Sequence, residues 1–136
     1  MRALVAVLAL SAACSSNPDS TPDGTVRELV RLLGDESYDP AAKDKALGLL
    51  DPRTRRELAR RAKVASESVG RPMKAADMIV SGGTTFRFDI SKVRVIEERV
   101  DRAVVEVQGP GREKSRVRLV REGDGWRVVL GLGGGP

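Results

Sequence analysis

Residues 102–132 read RAVVEVQGPGREKSRVRLVREGDGWRVVLGL. Apolar side chains recur at every second position: Ala103, Val105 and Val107, then Val117 and Leu119, then Trp126, Val128, Leu130 and Leu132. Period two places successive side chains on opposite faces, so each run predicts a strand with one apolar and one polar face. Arg116 and Arg118 fall on the polar face. Gly109-Pro110-Gly111 marks a turn between the first two runs, and Glu122-Gly123-Asp124-Gly125 predicts a tight hairpin before the third. Trp126, in phase with Val128 and Leu130, is a core anchor rather than a ligand platform.

Working back toward the N-terminus, Phe86, Phe88 and Ile90 share one face, with Arg87 and Asp89 on the other. The phase slips near Ser91-Lys92 before Val93 and Val95 turn inward, which predicts a β-bulge or bend there. Residues 73–80 fit either one or two helical turns or a lead-in strand. Further back the period becomes helical. Thr21-Pro22 opens a first helix with Val26, Leu29, Val30 and Leu33 at helical spacing and Gly34 as its stop. Asp39-Pro40 opens a second, running through Leu50 with Ala42, Ala46, Leu49 and Leu50 on its apolar side. Asp51-Pro52 opens a third that runs to about Val69. About three N-terminal helices packed on a curved antiparallel sheet of about four strands make an α+β domain. Its expected limits are residues 21–132, followed by a disordered tail, 133–136.

On a wheel of the third helix, Leu58, Ala62, Ala65 and Val69 form a narrow apolar stripe of mostly small residues, suited to close packing on a sheet. Arg53, Arg56, Arg60 and Lys63 share a sector of about 80° opposite it. That basic stripe is either a solvated outer face or a contact for an anionic surface.

The composition of the 136 residues narrows the function. Lys plus Arg is 24 against 19 Asp plus Glu, a net charge of +5, and Arg outnumbers Lys by 18 to 6. There is no His and one Cys, which removes His-based triads, the common zinc sites and any internal disulfide. Aromatics are 3%, too few for a base-stacking groove, and nucleic acid is not an expected partner. No cofactor is expected either. The inward strand positions are apolar and cannot move a proton. Asp77 and Asp89 read as surface or capping carboxylates, and Tyr38, the single tyrosine, falls between the first two helices. Ser81-Gly82-Gly83 lacks the length and the Lys of a phosphate loop.

Met1-Arg2 is a short positive segment, and residues 3–13 (ALVAVLALSAA) carry no charge. Eleven residues are too short to span a bilayer of about 30 Å as a helix, but they match the apolar region of a secretory signal. Leu10-Ser11-Ala12-Ala13-Cys14 resembles the bacterial lipoprotein lipobox, with Ser11 where Leu is usual and Leu10 one step earlier. The resemblance implies that residues 1–13 are a signal peptide cut before Cys14. It also implies that Cys14 is lipidated with palmitate-type chains and that the protein sits on the membrane of a bacterial cell envelope. Residues 14–20 would then be the lipidated Cys and a flexible tether. The other reading of the same residues is an ordinary secretory signal cut after Ala13.

The order of elements, the opening Thr21-Pro22-Asp23 and the closing Gly-Asp-Gly-Trp-Arg-Val-Val-Leu of residues 123–130 resemble the nuclear transport factor 2-like fold, the SnoaL-like or cystatin-like α+β cone. That resemblance implies a sheet wrapped around helices, with a cavity at the open end that is filled or open. It also makes self-association through the outer sheet face a common use of such a domain. The leading expectation is a lipid-anchored, non-catalytic domain that binds an envelope protein or itself, or presents a surface. The alternatives are a binder of a small apolar ligand in the cone and an enzyme with a carboxylate site.

Overall fold

The computed structural model describes residues 17–34, 39–81 and 89–132. Cys14, Tyr38, Phe86, Phe88, Gly82-Gly83 and the tail 133–136 lie outside the described residues. Each long helix starts on the signal its sequence carries. In α1 (Pro22–Gly34) the Thr21 hydroxyl accepts from the Gly24 N–H at 3.1 Å. Asp39 caps α2 (Pro40–Gly48) by accepting from Ala41 N–H, and Asp51 caps α3 (Pro52–Val69) by accepting from Arg53 and Thr54 N–H. Such caps satisfy donors that the first helical turn leaves open. Gly70 ends α3 with φ 72°, a left-handed conformation that costs glycine little. Residues 73–80 take the helical alternative: a 3-10 turn at Ala75–Asp77 leads into α4 (Met78–Ser81), and Asp77 caps it by accepting from Lys74 N–H.

The described strands are β1 (Lys92–Glu98), β2 (Arg102–Gln108), β3 (Lys114–Glu122) and β4 (Gly125–Val129), an antiparallel meander in chain order. The β3–β4 hairpin closes through Gly123-Asp124, with positive φ only at Gly123, the pattern of a II′ turn. Val95, Val105 and Val117 face one another across the sheet, as do Ala103, Leu119 and Val128. This inner face packs against Val26, Leu29 and Leu32 of α1, Ala46 of α2, Leu58 of α3 and Ile79 of α4. Trp126 is 1% exposed within it, and the Arg121 guanidinium lies 4.7 Å from its ring centroid. The architecture is α+β, helices on one face of a four-stranded antiparallel sheet.

Several local expectations are corrected. The bulge lies between Val95 and Glu97, not at Ser91-Lys92; Ser91 N–H already donates to Gln108 O at 2.8 Å, so pairing is continuous there. The second helix stops at Gly48, and Leu50 instead forms a parallel bridge with Val128. The last strand ends at Val129: Leu130 N–H turns to the Thr54 hydroxyl, and Leu132 N–H to Leu130 O. Val69 is 59% exposed, because α3 buries Thr54, Leu58 and Ala62 near its start and then packs on residues 75–81 rather than on the sheet. The expected tether takes in residues 18–20. Pro18–Ser20 form a 3-10 turn against β4, where Arg127 donates to Asp19 at 2.7 Å.

Candidate functional site

The start of α3 is fastened across the outer edge of β4. Asp51 N–H donates to Val128 O at 2.9 Å, and Val128 N–H donates to Leu49 O at 2.8 Å. The buried Thr54 hydroxyl donates to the Asp51 carboxylate and accepts from Leu130 N–H. Arg55 reaches from the same turn to Glu122 of β3 at 3.0 Å. Held this way, α3 leaves a groove of about 620 Å3 between its polar side and the chain that leaves β4. Arg53, Arg56, Glu57 and Arg60 line it from α3, Arg118 from β3, and Val129, Leu130 and Leu132 from the far wall. A second hollow of about 370 Å3, lined among others by Glu97, Arg102 and Val120, shares Arg53, Arg118 and Val129 with the first. The two therefore adjoin.

Of the basic stripe read from the sequence, Arg53, Arg56 and Arg60 come together in this groove. Lys63 is exposed one turn further on and does not line it. Arg118 is the residue that sequence reasoning missed. It was legible as outward-facing, but its place opposite Val129 matters only once α3 is known to lie across that edge.

The electrostatics are one-sided. Glu57 accepts from Arg60 at 2.6 and 2.9 Å and from Arg61 at 3.1 Å. Hydrogen bonding to these two guanidinium groups holds the Glu57 carboxyl down at about 2, so it is an anion at any physiological pH and donates no proton. Arg60 is raised in turn by the same bond. Arg53, Arg56 and Arg118 enter no ion pair among the described residues. Guanidinium forks free of a carboxylate suit planar or tetrahedral oxyanions, which they bind through two parallel N–H bonds.

Among the described residues no group of three or more His, Cys, Asp or Glu could hold a metal ion, and no helix is long and apolar enough to cross a membrane. Asp89 is exposed on the approach to β1, and Asp77 serves as the cap already described. Compared with family models, curated proteins and solved structures, the chain matches none of them.

Proposed function

We propose that this chain is a lipid-anchored bacterial envelope protein, held through Cys14, whose domain is a non-catalytic interaction module for an anionic partner. The observation that carries the binding half is the convergence of Arg53, Arg56, Arg60 and Arg118 on one groove whose carboxylate, Glu57, is already taken up by Arg60 and Arg61. The anchor half rests on Cys14, the single cysteine, directly after an uncharged eleven-residue run. The likeness of the domain to nuclear transport factor 2-like proteins rests on the sequence motifs at residues 21–23 and 123–130. The alternative of a small apolar ligand inside a cone has less support, since Val105, Val107 and Val128 of the inner face are wholly buried against the helices.

The test has two arms. The chain produced in a bacterial host should fractionate with membranes and carry diacylglyceryl and acyl mass on Cys14, both lost in Cys14→Ser. Unmodified Cys14 in a membrane-free chain would end the anchor reading. Residues 14–136 carrying Cys14→Ser should bind polyphosphate, used as a generic polyanion. Binding should fall at least tenfold in the triple variant Arg53→Gln, Arg56→Gln, Arg118→Gln. Equal binding by variant and parent would remove the groove from the function.

A further inference from the structure

The outer face of the sheet carries the positive charge of the groove on beyond Arg118. Register places its side chains in rows: Lys92, Gln108 and Lys114; Arg94, Glu106 and Arg116; Glu97, Val104, Arg118 and Val129. Down β3 this makes a ladder of Lys114, Arg116 and Arg118, about 7 Å apart at two residues per step. Glu106, the carboxylate in the middle row, is bound by Arg94 at 3.2 Å and by Gln108 at 2.7 Å. Glu97 is bound by Arg99 at 2.7 Å. Arg116 and Arg118 enter no ion pair among the described residues, and Lys114 acts on Glu106 only through space. On α1 the arginines are paired instead: Arg27 with Asp23, and Arg31 with Glu28.

The same face receives the chain from its N-terminal side. Arg127, whose side chain points outward from β4, holds Asp19 at 2.7 Å. The carboxylate sits so close over Gly125 that a Cβ there would lie 2.4 Å from Asp19 Oδ2. Five residue steps separate Asp19 from Cys14, a reach of at most about 17 Å. A lipid on Cys14 therefore brings the Gly125 end of the outer sheet face, together with the start of α1, near the bilayer.

We infer that the outer face of the sheet, led by Lys114, Arg116 and Arg118, lies against the anionic headgroups of the membrane in which Cys14 is anchored. The inference rests on the anchor reading for its geometry and on the ladder for its chemistry. Attraction to a charged surface fades over about 8 Å at physiological salt, so only a face held close by a short link can use it. Each basic residue at an anionic surface contributes about fivefold in partitioning, and three together on the order of a hundredfold.

The experiment uses the lipidated chain in vesicles of phosphatidylcholine with or without phosphatidylglycerol. A nitroxide is placed either at Gln108→Cys on the outer face or at Asp44→Cys on the exposed side of α2. With phosphatidylglycerol the Gln108 label should become several-fold less accessible to an aqueous relaxation agent, while the Asp44 label stays open. The difference should vanish at high salt and in the variant Lys92→Gln, Lys114→Gln, Arg116→Gln, which leaves the groove lining intact. Unchanged melting temperature in that variant shows that it folds, and the salt arm needs no variant. Equal access at both sites, or shielding of Asp44, overturns the inference while leaving the anchor intact. A chain that carries no lipid ends the anchor reading instead. Co-sedimentation of residues 14–136 with Cys14→Ser on phosphatidylglycerol vesicles then decides the face alone: binding lost in the triple variant upholds it, and no binding at low salt overturns it.

Discussion

Val117 and Leu119 share a strand with Arg116 and Arg118, yet the two faces they occupy have little else in common. The inner face is closed by four helices and holds Trp126 at 1% exposure. The outer face meets only the turn Pro18–Ser20 and the start of α3 at its β4 edge, and it exposes Arg116 and Arg118, which form no ion pair among the described residues. A single residue step separates burial from solvation because strand side chains alternate. Stability therefore comes from one face, and the other is free to carry charge. Arg60 and Arg61 pair with a carboxylate on their own helix and Arg94 with one on the facing strand, while Arg116, also opposite Glu106, enters no ion pair among the described residues. Arg53, Arg56 and Arg118, which enter no ion pair among the described residues, meet where α3 crosses the sheet edge.

The sharpest way to break this contrast is Trp126→Ala. Truncating a buried aromatic costs about 3–5 kcal/mol, a large share of a small domain's stability. The variant should be largely unfolded by circular dichroism, and a native melt would move Trp126 out of the core. Asp51→Ala comes next. It removes the cap of α3 and leaves the buried Thr54 hydroxyl without its acceptor, for a loss of about 1–2 kcal/mol in urea titration. The same variant should weaken polyphosphate binding, because the groove depends on where α3 begins. By contrast, Arg116→Gln with Arg118→Gln should shift stability by no more than about 0.5 kcal/mol while reducing adhesion to anionic vesicles. A large stability loss there would mean that the outer face is structural too.

The smallest effect belongs to Glu57→Gln. The folded protein lowers this carboxyl from its ordinary 4.5 to about 2 through Arg60 and Arg61. The stabilisation is present above about pH 4.5 and is lost as pH falls toward 2. The small gap in melting temperature between parent and Glu57→Gln should thus close across that interval. At neutral pH the variant frees two guanidinium groups and should bind polyphosphate more tightly. Weaker binding would show that Glu57 orients the groove rather than neutralising it.

Much of this architecture was legible because local chemistry and global packing agree. Asp-Pro at residues 39–40 and 51–52 starts helices whatever lies around them, and the alternation in residues 102–129 assigns each side chain to a face. What escaped depends on contacts distant in sequence. The position of the bulge was set by pairing with Val104 and Val105, not by the apolar phase of β1 itself. Leu130 and Leu132 continue the strand pattern, but Thr54, on another element, draws the backbone away. Val69 fits the apolar stripe of α3 by spacing, but the helix has by then left the sheet. For the groove, three of its four arginines could be read from one helix wheel. Arg118 could not, since the packing of α3 on β4 is a tertiary fact.

The short parallel bridge at Leu50 has a consequence for crowding. A strand at the end of a sheet offers open N–H and C=O groups to any passing chain. In β4 both of those groups on Val128 are occupied by the backbone of Leu49 and Asp51. Under the proposed anchorage, copies of this protein share a surface rather than a volume, and collisions between neighbours become frequent. The linker between α2 and α3, through its two hydrogen bonds to β4, thus doubles as a guard against edge-to-edge pairing of molecules confined to one leaflet.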